Sequence, residues 1–391
     1  MHTLIVHNAY GKYSGEEAVV DAVRQVLESR GQEVSMFRRS SEELADSFCG
    51  KLKGFAAGVY SRSGVKGMRE ALERVKPDVV NVHNVFPLIS PAALFECKKA
   101  RVPVIMTIHN YRLMCPTGLF MRDGKPCENC LRNRNEWDCV KYNCEHSWGK
   151  SIGYALRNYV ARQTKAFADC VDAFSCITDF QREKLIEAGF SESKIKVNPN
   201  FLDVNKEERP SFNQGEYVAY CGRLSEEKGI DLILHVAKQH PEIPFKFAGS
   251  ARDESLIKLA PQNCEFVGHL NDVKLLKFTQ KARFIIMASK WYEGFPMAIL
   301  EAAAQGKPCI GPDHGGFSEI IGKGEVAIGK LFEPGNVEDL AQKVHELWES
   351  PKATIQLGKR AYEKLCSEYS SERFYKRFLS ICQQIGVKNI P

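Results

Sequence analysis

Two carboxylates stand eight residues apart in Trp291-Tyr292-Glu293-Gly294-Phe295-Pro296-Met297-Ala298-Ile299-Leu300-Glu301. The segment predicts a helix with Glu293 just before it and Glu301 a little over two turns in. At about 100° per residue, eight residues leave two side chains about 80° apart, so both carboxylates can border one cleft. The N–H groups of Gly294 and Phe295, with the positive end of the helix, make its mouth an anion site. A phosphate at that mouth with a carboxylate beside it points to a phosphorylated, hydroxyl-rich ligand.

Two further segments suit the same ligand. In Cys221-Gly222-Arg223-Leu224-Ser225-Glu226-Glu227-Lys228 a strand ends at the glycine, and an arginine precedes a lysine by five residues. Arginine clamps phosphate bidentately and lysine adds a mobile point charge, a pairing that fits a pyrophosphate. In Asp313-His314-Gly315-Gly316-Phe317-Ser318-Glu319 the glycine pair permits close backbone approach, so this loop can line the cleft too.

Of the 14 cysteines, nine are scattered singly in mostly apolar segments, where they behave as small hydrophobes. The other five, Cys115, Cys127, Cys130, Cys139 and Cys144, fall within thirty residues. Cys-x2-Cys with two more thiols at loop distance suits tetrahedral zinc, and a reducing compartment favours metal over disulfides. Free thiols packing a long loop explain the same spacing.

The elements that must position these residues alternate short β-branched runs with amphipathic helical stretches, the signature of parallel α/β units. Strands are predicted near 3–8, 33–37, 78–83, 103–108, 173–177 and 195–198, with helices near 15–29, 64–75, 91–99, 148–168 and 179–188. After a turn-rich stretch at 199–215, an expected interdomain linker, strands recur near 217–221, 244–248, 264–267, 283–287, 308–310 and 325–328. From about residue 336 the chain reads as helical to its end. The expected architecture is α/β, with two Rossmann-like domains facing across a cleft that receives ligands at the carboxyl ends of the strands. The division is 1–200 and 201–369, with 370–391 able to pack back on the first domain.

At 391 residues, 44% hydrophobic and 26% charged, the chain is neither disordered nor a coiled coil. No apolar run reaches a membrane span, and the N-terminus lacks the features of a signal peptide, so a cytoplasmic protein is expected. The net charge of +6 is uneven: residues 51–125 hold 13 Lys and Arg against 5 Asp and Glu. Lys51, Lys53, Arg62, Lys66, Arg69, Arg74, Lys76, Lys98, Lys99 and Arg101 carry that excess, interleaved with Phe55, Val59, Tyr60 and Val65. Such a stretch is either a solvated helical face or a surface for anionic lipid or a pyrophosphate-bearing acceptor. No nucleic-acid-binding signature accompanies it.

The three segments, in this order and spacing, resemble the nucleotide-sugar domain of the family 4 retaining glycosyltransferases, which have the GT-B fold. The resemblance extends to the glycine loop at Gly11 to Glu17, where Ser14-Gly15 stands for the usual glycine pair. It also covers Asn81-Val82-His83-Asn84, Thr107-Ile108-His109-Asn110 and Lys196-Val197-Asn198-Pro199-Asn200. It implies that Arg223 and Lys228 neutralise the donor pyrophosphate, with backbone donors from Gly222, Gly294, Phe295 and, from the opposite domain, Gly15. It implies Glu301 on the ribose, Glu293 on the donor sugar's hydroxyls and His109 beside the transferring sugar. Gly268-His269-Leu270 matches the segment whose backbone reads the base.

The implied reaction moves a sugar from a nucleotide-diphosphate sugar (UDP, GDP or ADP) to a saccharide or lipid-pyrophosphate-saccharide acceptor in bacterial polysaccharide or capsule synthesis. It retains anomeric configuration and uses no catalytic metal. The sequence has no Asp-x-Asp, and Arg223 and Lys228 would supply the positive charge. Some family members look similar across His-Asn-Tyr-Arg-Leu-Met-Cys-Pro, which favours structural zinc at Cys115, Cys127, Cys130 and Cys144, with Cys139 or His146 as alternates. Peripheral contact with the inner face of the cell membrane is expected, and no nucleic-acid partner. The competing readings are a sugar-nucleotide epimerase or hydrolase of the same fold, and an inactive sugar-nucleotide-binding regulatory module.

Overall fold

The computed structural model describes the chain except residues 12, 45–47, 205–209, 211 and 252–254, with backbone alone at 48–49, 51–53, 255–256 and 272. The 199–215 linker therefore falls partly outside the described residues, as do the side chains of Lys51 and Lys53.

The chain divides into two compact units: residues 1–120, 128–199 and 374–391 form the first, and residues 121–127 and 200–373 the second. The first is built on six strands, β1 (His2–Ala9), β2 (Glu33–Ser40), β3 (Val79–Asn84), β4 (Val104–Ile108), β5 (Ala173–Cys176) and β6 (Ile195–Val197). They pair in parallel in the order β2-β1-β3-β4-β5-β6. The order reverses at β1, which lies between β2 and β3, and the carboxyl ends of β1 and β3 flank that switch point. Every residue of β3 and β4 is buried, as near-continuous apolar runs in a parallel sheet should be.

The second sheet repeats the plan with β7 (Tyr217–Cys221), β8 (Phe245–Ala248), β9 (Cys264–Gly268), β10 (Ala282–Ile286), β11 (Cys309–Pro312) and β12 (Gly329–Phe332). Their order is β9-β8-β7-β10-β11-β12, so the switch point lies between β7 and β10. Val218, Tyr220, Phe245, Phe247, Phe284 and Ile286 from these strands pack with Ile230 and Ile233 in one core.

Three expectations need correction. The strand near 325–328 is a short 3-10 turn at Gly324–Val326, and the pairing strand runs from Gly329 to Phe332. Val326 is 74% exposed there, so its β-branched side chain reports no buried strand. A helix at Phe48–Val59 was not predicted, because its Lys, Gly and Ala content blurs the apolar period. The single helix expected over 148–168 is two, Trp148–Gln163 and Ala166–Cys170, broken where Lys165 takes a left-handed conformation at φ 53°.

Candidate active site

In the second unit the chain leaves β7 at Gly222 and turns through Arg223, whose carbonyl accepts a 2.7 Å hydrogen bond from the Tyr220 hydroxyl. A short turn at Glu226–Lys228 then leads into the helix Ile230–Gln239. The turn carries Lys228 inward, where Nζ donates to Glu293 Oε1 at 2.9 Å. Both side chains are largely buried, 14% and 9% exposed. Ser289 Oγ donates to the same carboxylate oxygen, and the Trp291 ring lies 5.5 Å from Lys228 Nζ. Residues singled out in two separate motifs thus form one buried ion pair.

Arg223 is different. Its side chain is 46% exposed and only loosely paired with Glu227 at 3.5 Å, which leaves the guanidinium accessible.

The helix after Glu293 begins at Met297, not at the glycine, and ends at Ala304. Glu301 therefore sits just over one turn into it, and residues 293–296 are loop. The 80° relation expected for Glu293 and Glu301 does not hold, and Gly294 and Phe295 precede the helix rather than form its first turn. Pro296 caused the misreading: it caps the helix from outside it. Glu301 is exposed; burial raises the thiol of Cys221 at the end of β7, and the Glu301 charge adds to that. Gly268, the last residue of β9, and His269 after it are exposed, with Leu270 half-buried beside them.

The glycine pair at 315–316 approaches protein rather than ligand. Gly316 N–H donates to the Glu293 carbonyl at 2.9 Å, and a Cβ on Gly316 would lie 2.4 Å from the Gly294 carbonyl oxygen. This loop buttresses the one that carries Glu293. His314 reinforces it, with Nε2 3.1 Å from the Ser289 carbonyl.

In the first unit a second polar cluster stands at the carboxyl ends of β1, β3 and β4. His109, just past β4, faces His83 of β3 at 2.7 Å between Nε2 and Nδ1, the two rings lying edge to edge and within 16° of parallel, with centroids 5.0 Å apart. His83 Nε2 lies 2.9 Å from Asn81 Oδ1. His7, fully buried on β1, sets its ring edge-on to His83 at 6.4 Å, with Glu16 and Glu17 3.8 and 3.6 Å from its nitrogens. Burial holds all three histidines neutral, lowering His7 to about 4, His109 to about 3 and His83 well below 6.5.

Glu16 moves the other way, raised to about 7 by burial despite the nearby Arg112 guanidinium. Tyr10 donates its hydroxyl to Glu16 at 3.0 Å. Glu17 pins the loop before the first helix, accepting from Tyr10 N–H at 2.6 Å and Ser14 N–H at 2.8 Å. Gly15 opens that helix (Gly15–Ser29) with empty space where a Cβ would stand. Sequence reasoning missed His7 and Glu16. The available signal was a run of polar residues, His7, Asn81 and His83, inside strands that are otherwise apolar.

The cysteine set also changes. Cys139 hydrogen-bonds Cys144, with Cys130 and Cys115 close enough to raise its thiol further. Cys127 belongs to the other unit. Among the described residues no group of three or more His, Cys, Asp or Glu side chains could hold a metal ion. The expected zinc ligands Cys115, Cys127, Cys130 and Cys144 are therefore not assembled as a site, and the four thiols that do gather include Cys139 in place of Cys127. Of these four, Cys139 and Cys144 are linked by a hydrogen bond.

The basic stretch is partly neutralised within the protein. Arg69 and Lys99 both bind Glu96 at 2.8 Å, and Lys66 lies 3.6 Å from Glu70. Phe55 is spent in packing, since its ring occupies the space over Gly153, while Tyr60 stays 58% exposed. No helix among the described residues is long and apolar enough to cross a membrane.

The fold is that of a known class. A solved structure of Anabaena Alr3699/HepE in complex with UDP and glucose superposes with a TM-score of 0.66 over 98% of this chain and 99% of that one, at 16% identity. The paired parallel sheets are thus those of the GT-B glycosyltransferases. Residues 13–206 match the profile described as Glycosyltransferase Family 4, and residues 203–364 that described as Glycosyl transferases group 1. An N-acetyl-alpha-D-glucosaminyl L-malate synthase of Bacillus anthracis is 33% identical over 82% of this chain and 78% of its own length. A 41.2 kDa protein in the cps region of Klebsiella pneumoniae is 25% identical over 78% and 77%. The chain belongs to glycosyltransferase family 4.

Proposed function

We propose that this glycosyltransferase moves a sugar, with retention, from a nucleoside-diphosphate sugar to a saccharide acceptor in polysaccharide synthesis. The observation that carries the reading is the buried Lys228–Glu293 pair beside the accessible Arg223, at the switch point of the second sheet. Arg223 and Lys228 take the donor pyrophosphate, helped by the N–H groups of Gly222, Gly294 and Phe295 and the open backbone at Gly15. Glu293 accepts from the sugar's hydroxyls, Glu301 from the ribose, and the backbone of Gly268, His269 and Leu270 reads the base. His109 stands beside the transferring sugar.

In the reaction the bond from the anomeric carbon to the β-phosphate oxygen breaks as the two cations stabilise the leaving diphosphate. The acceptor hydroxyl attacks from the same face, and its proton passes to the departing phosphate oxygen. No carboxylate serves as nucleophile, unlike the paired carboxylates of glycoside hydrolases. Because the two cations supply the charge, turnover persists in a chelator, and strict dependence on Mg²⁺ or Mn²⁺ would refute this step. No zinc has a role.

UDP is the first base to test, since the similar Anabaena protein binds it. The cps-region relative supports a polysaccharide setting. A lipid-linked acceptor and peripheral membrane contact rest on the excess of Lys and Arg over residues 51–125, with the exposed Tyr60 among them.

The test is a thermal-shift screen of chelator-treated protein with UDP, GDP, ADP, dTDP and CDP, on the native chain and Glu301→Ala. A nucleotide at 100 times its Kd adds about 2.7 kcal/mol to stability. One nucleotide should stabilise the native protein and do so much less in the variant. Equal shifts in both overturn the ribose contact, and no shift in calorimetry with intact donors overturns the donor site.

A further inference from the structure

We propose that His83 is a positioning residue that fixes His109 as its Nε2–H tautomer. His109 then presents a bare Nδ1, an acceptor for a hydroxyl proton that cannot donate to a phosphate oxygen. The proposal rests on the reading above only in taking the hydroxyl to be one of the transferring sugar's. The tautomer itself follows from hydrogen bonds within the first unit.

The orientation of the Asn81 amide sets the tautomer. Its side-chain Nδ2 faces two oxygens, the Ile105 carbonyl at 3.4 Å and Thr107 Oγ1 at 3.1 Å. A carbonyl oxygen only accepts, so the atom against Ile105 is the amide nitrogen, and Oδ1 is left facing His83. Oδ1 cannot donate, and therefore His83 Nε2, 2.9 Å away, carries a proton. His83 is 3% exposed and its nearest titratable rings are His7 and His109, with no carboxylate hydrogen-bonded to it that would stabilise a cation. A neutral imidazole protonated at Nε2 has a bare Nδ1. That bare nitrogen lies 2.7 Å from His109 Nε2, which must supply the proton. His109 is neutral as well, so its remaining nitrogen, Nδ1, has a lone pair and no hydrogen.

The opposite assignment fails at one point. If His109 Nε2 were bare, His83 would have to donate from Nδ1, and its Nε2 lone pair would oppose the lone pairs of Asn81 Oδ1. Rotating Asn81 to relieve that contact would set Oδ1 against the Ile105 carbonyl. The backbone of β4 thus dictates, through Asn81 and His83, which face of His109 donates and which accepts.

The relay also selects what His109 can hold. A bare Nδ1 binds a group that brings its own proton, which a sugar hydroxyl does and an ionised phosphate does not. A His109 with the other tautomer would offer N–H and draw in the pyrophosphate oxygens instead.

The experiment is nitrogen-15 NMR of histidine-labelled, ligand-free protein at pH 7, with His109→Asn and His83→Gln used for assignment. Long-range proton–nitrogen correlations identify the tautomer, and a coupling across the hydrogen bond identifies the N–H···N pair. Both rings should be neutral and protonated at Nε2, with a coupling between His109 Nε2 and His83 Nδ1. In His83→Gln the new carbonyl oxygen accepts from His109, and the tautomer is kept. In His83→Leu no acceptor remains, and the Nδ1–H population of His109 rises several-fold.

A native His109 protonated at Nδ1, or charged, overturns the proposal. So does a His83→Leu protein with the native tautomer. If His83→Leu does not fold, the native and His83→Gln spectra still decide. No donor is present, so failure of the glycosyltransferase reading appears in the nucleotide screen and failure of the relay appears here.

Discussion

Replacing Lys228 by methionine keeps the length of the side chain and removes its charge, which isolates what the Lys228–Glu293 pair contributes. At 2.9 Å and an effective dielectric of about 20, the Coulomb attraction is about 6 kcal/mol, but desolvating two ions offsets most of it. The measurable quantity is the cost of orphaning one partner. With Lys228 gone, the Glu293 carboxylate remains 9% exposed with Ser289 Oγ as its donor, and a buried unpaired charge costs about 3–5 kcal/mol. Glu293→Gln should cost less, about 1–2 kcal/mol, because an amide oxygen can still accept from the lysine. The double variant should then be more stable than the sum of single losses, by a coupling of about 2 kcal/mol. Urea unfolding followed by circular dichroism measures all four proteins. Additivity within about 0.5 kcal/mol, with Lys228→Met costing under about 1 kcal/mol, would mean that the pair is not formed in solution. UDP binding adds an independent reading, since UDP lacks the transferred sugar whose hydroxyls Glu293 would hold. Lys228→Met should weaken it about tenfold or more, the loss of one charged hydrogen bond, while Glu293→Gln should not weaken it.

Two further outcomes follow from the clusters. The three histidines of the first unit hold lower pKa values folded than unfolded, so the unfolded chain takes up protons first as pH falls below about 6.5. Their contribution is complete above that pH and is lost on acidification, at up to about 1.4 kcal/mol per pH unit for each ring. Glu16, raised to about 7, acts oppositely: the folded state keeps its proton, and that contribution fades as pH rises from about 4.5 to 7. The net expectation is stability that falls from pH 6.5 to 5, with a slope reduced by about one proton in His7→Gln; equal slopes in the two proteins would show that His7 is not held neutral. Gly229→Ala should destabilise the second unit by more than about 2 kcal/mol in the same urea assay, since φ is 68° and the new Cβ would lie 1.9 Å from the Ala288 carbonyl oxygen. Loss of under about 0.5 kcal/mol would show that the turn carrying Lys228 yields freely.

Much of the frame was legible because parallel strands buried on both faces read as apolar runs. Asp78-Val79-Val80-Asn81-Val82 and Val102-Pro103-Val104-Ile105-Met106 located β3 and β4 to within two residues. The motifs containing Arg223, Lys228 and Glu293 were legible as chemistry, but their meeting was not, since Lys228 and Glu293 are 65 residues apart. Helix starts were less secure: Pro296 shifted one by several residues and spoiled an angle computed from it. The histidine cluster was invisible as a unit because His7 and His83 come from two strands and His109 from the loop after a third, and periodicity reports burial without naming neighbours. Cys127 illustrates the converse, a residue close in sequence to the other cysteines that the fold assigns to a different unit.

The two clusters differ in the one property that divides a nucleotide sugar into its parts. The second unit offers cations: an accessible guanidinium, and an ammonium held by a carboxylate that a stronger anion can displace. The first unit offers a row of neutral rings, kept neutral by burial, with neighbouring rings adding to the effect at His83 and His109. A diphosphate needs charge, and charged groups buried without it are costly, which suits an ion pair that rearranges on binding. A sugar is uncharged and rich in hydroxyls, and neutral acceptors with fixed tautomers bind it without attracting the phosphates. Both clusters sit at switch points, where the strands on either side of the first strand diverge and leave the carboxyl ends of the sheet open. The same topology, used twice, thus carries a charged cluster in one unit and a neutral one in the other.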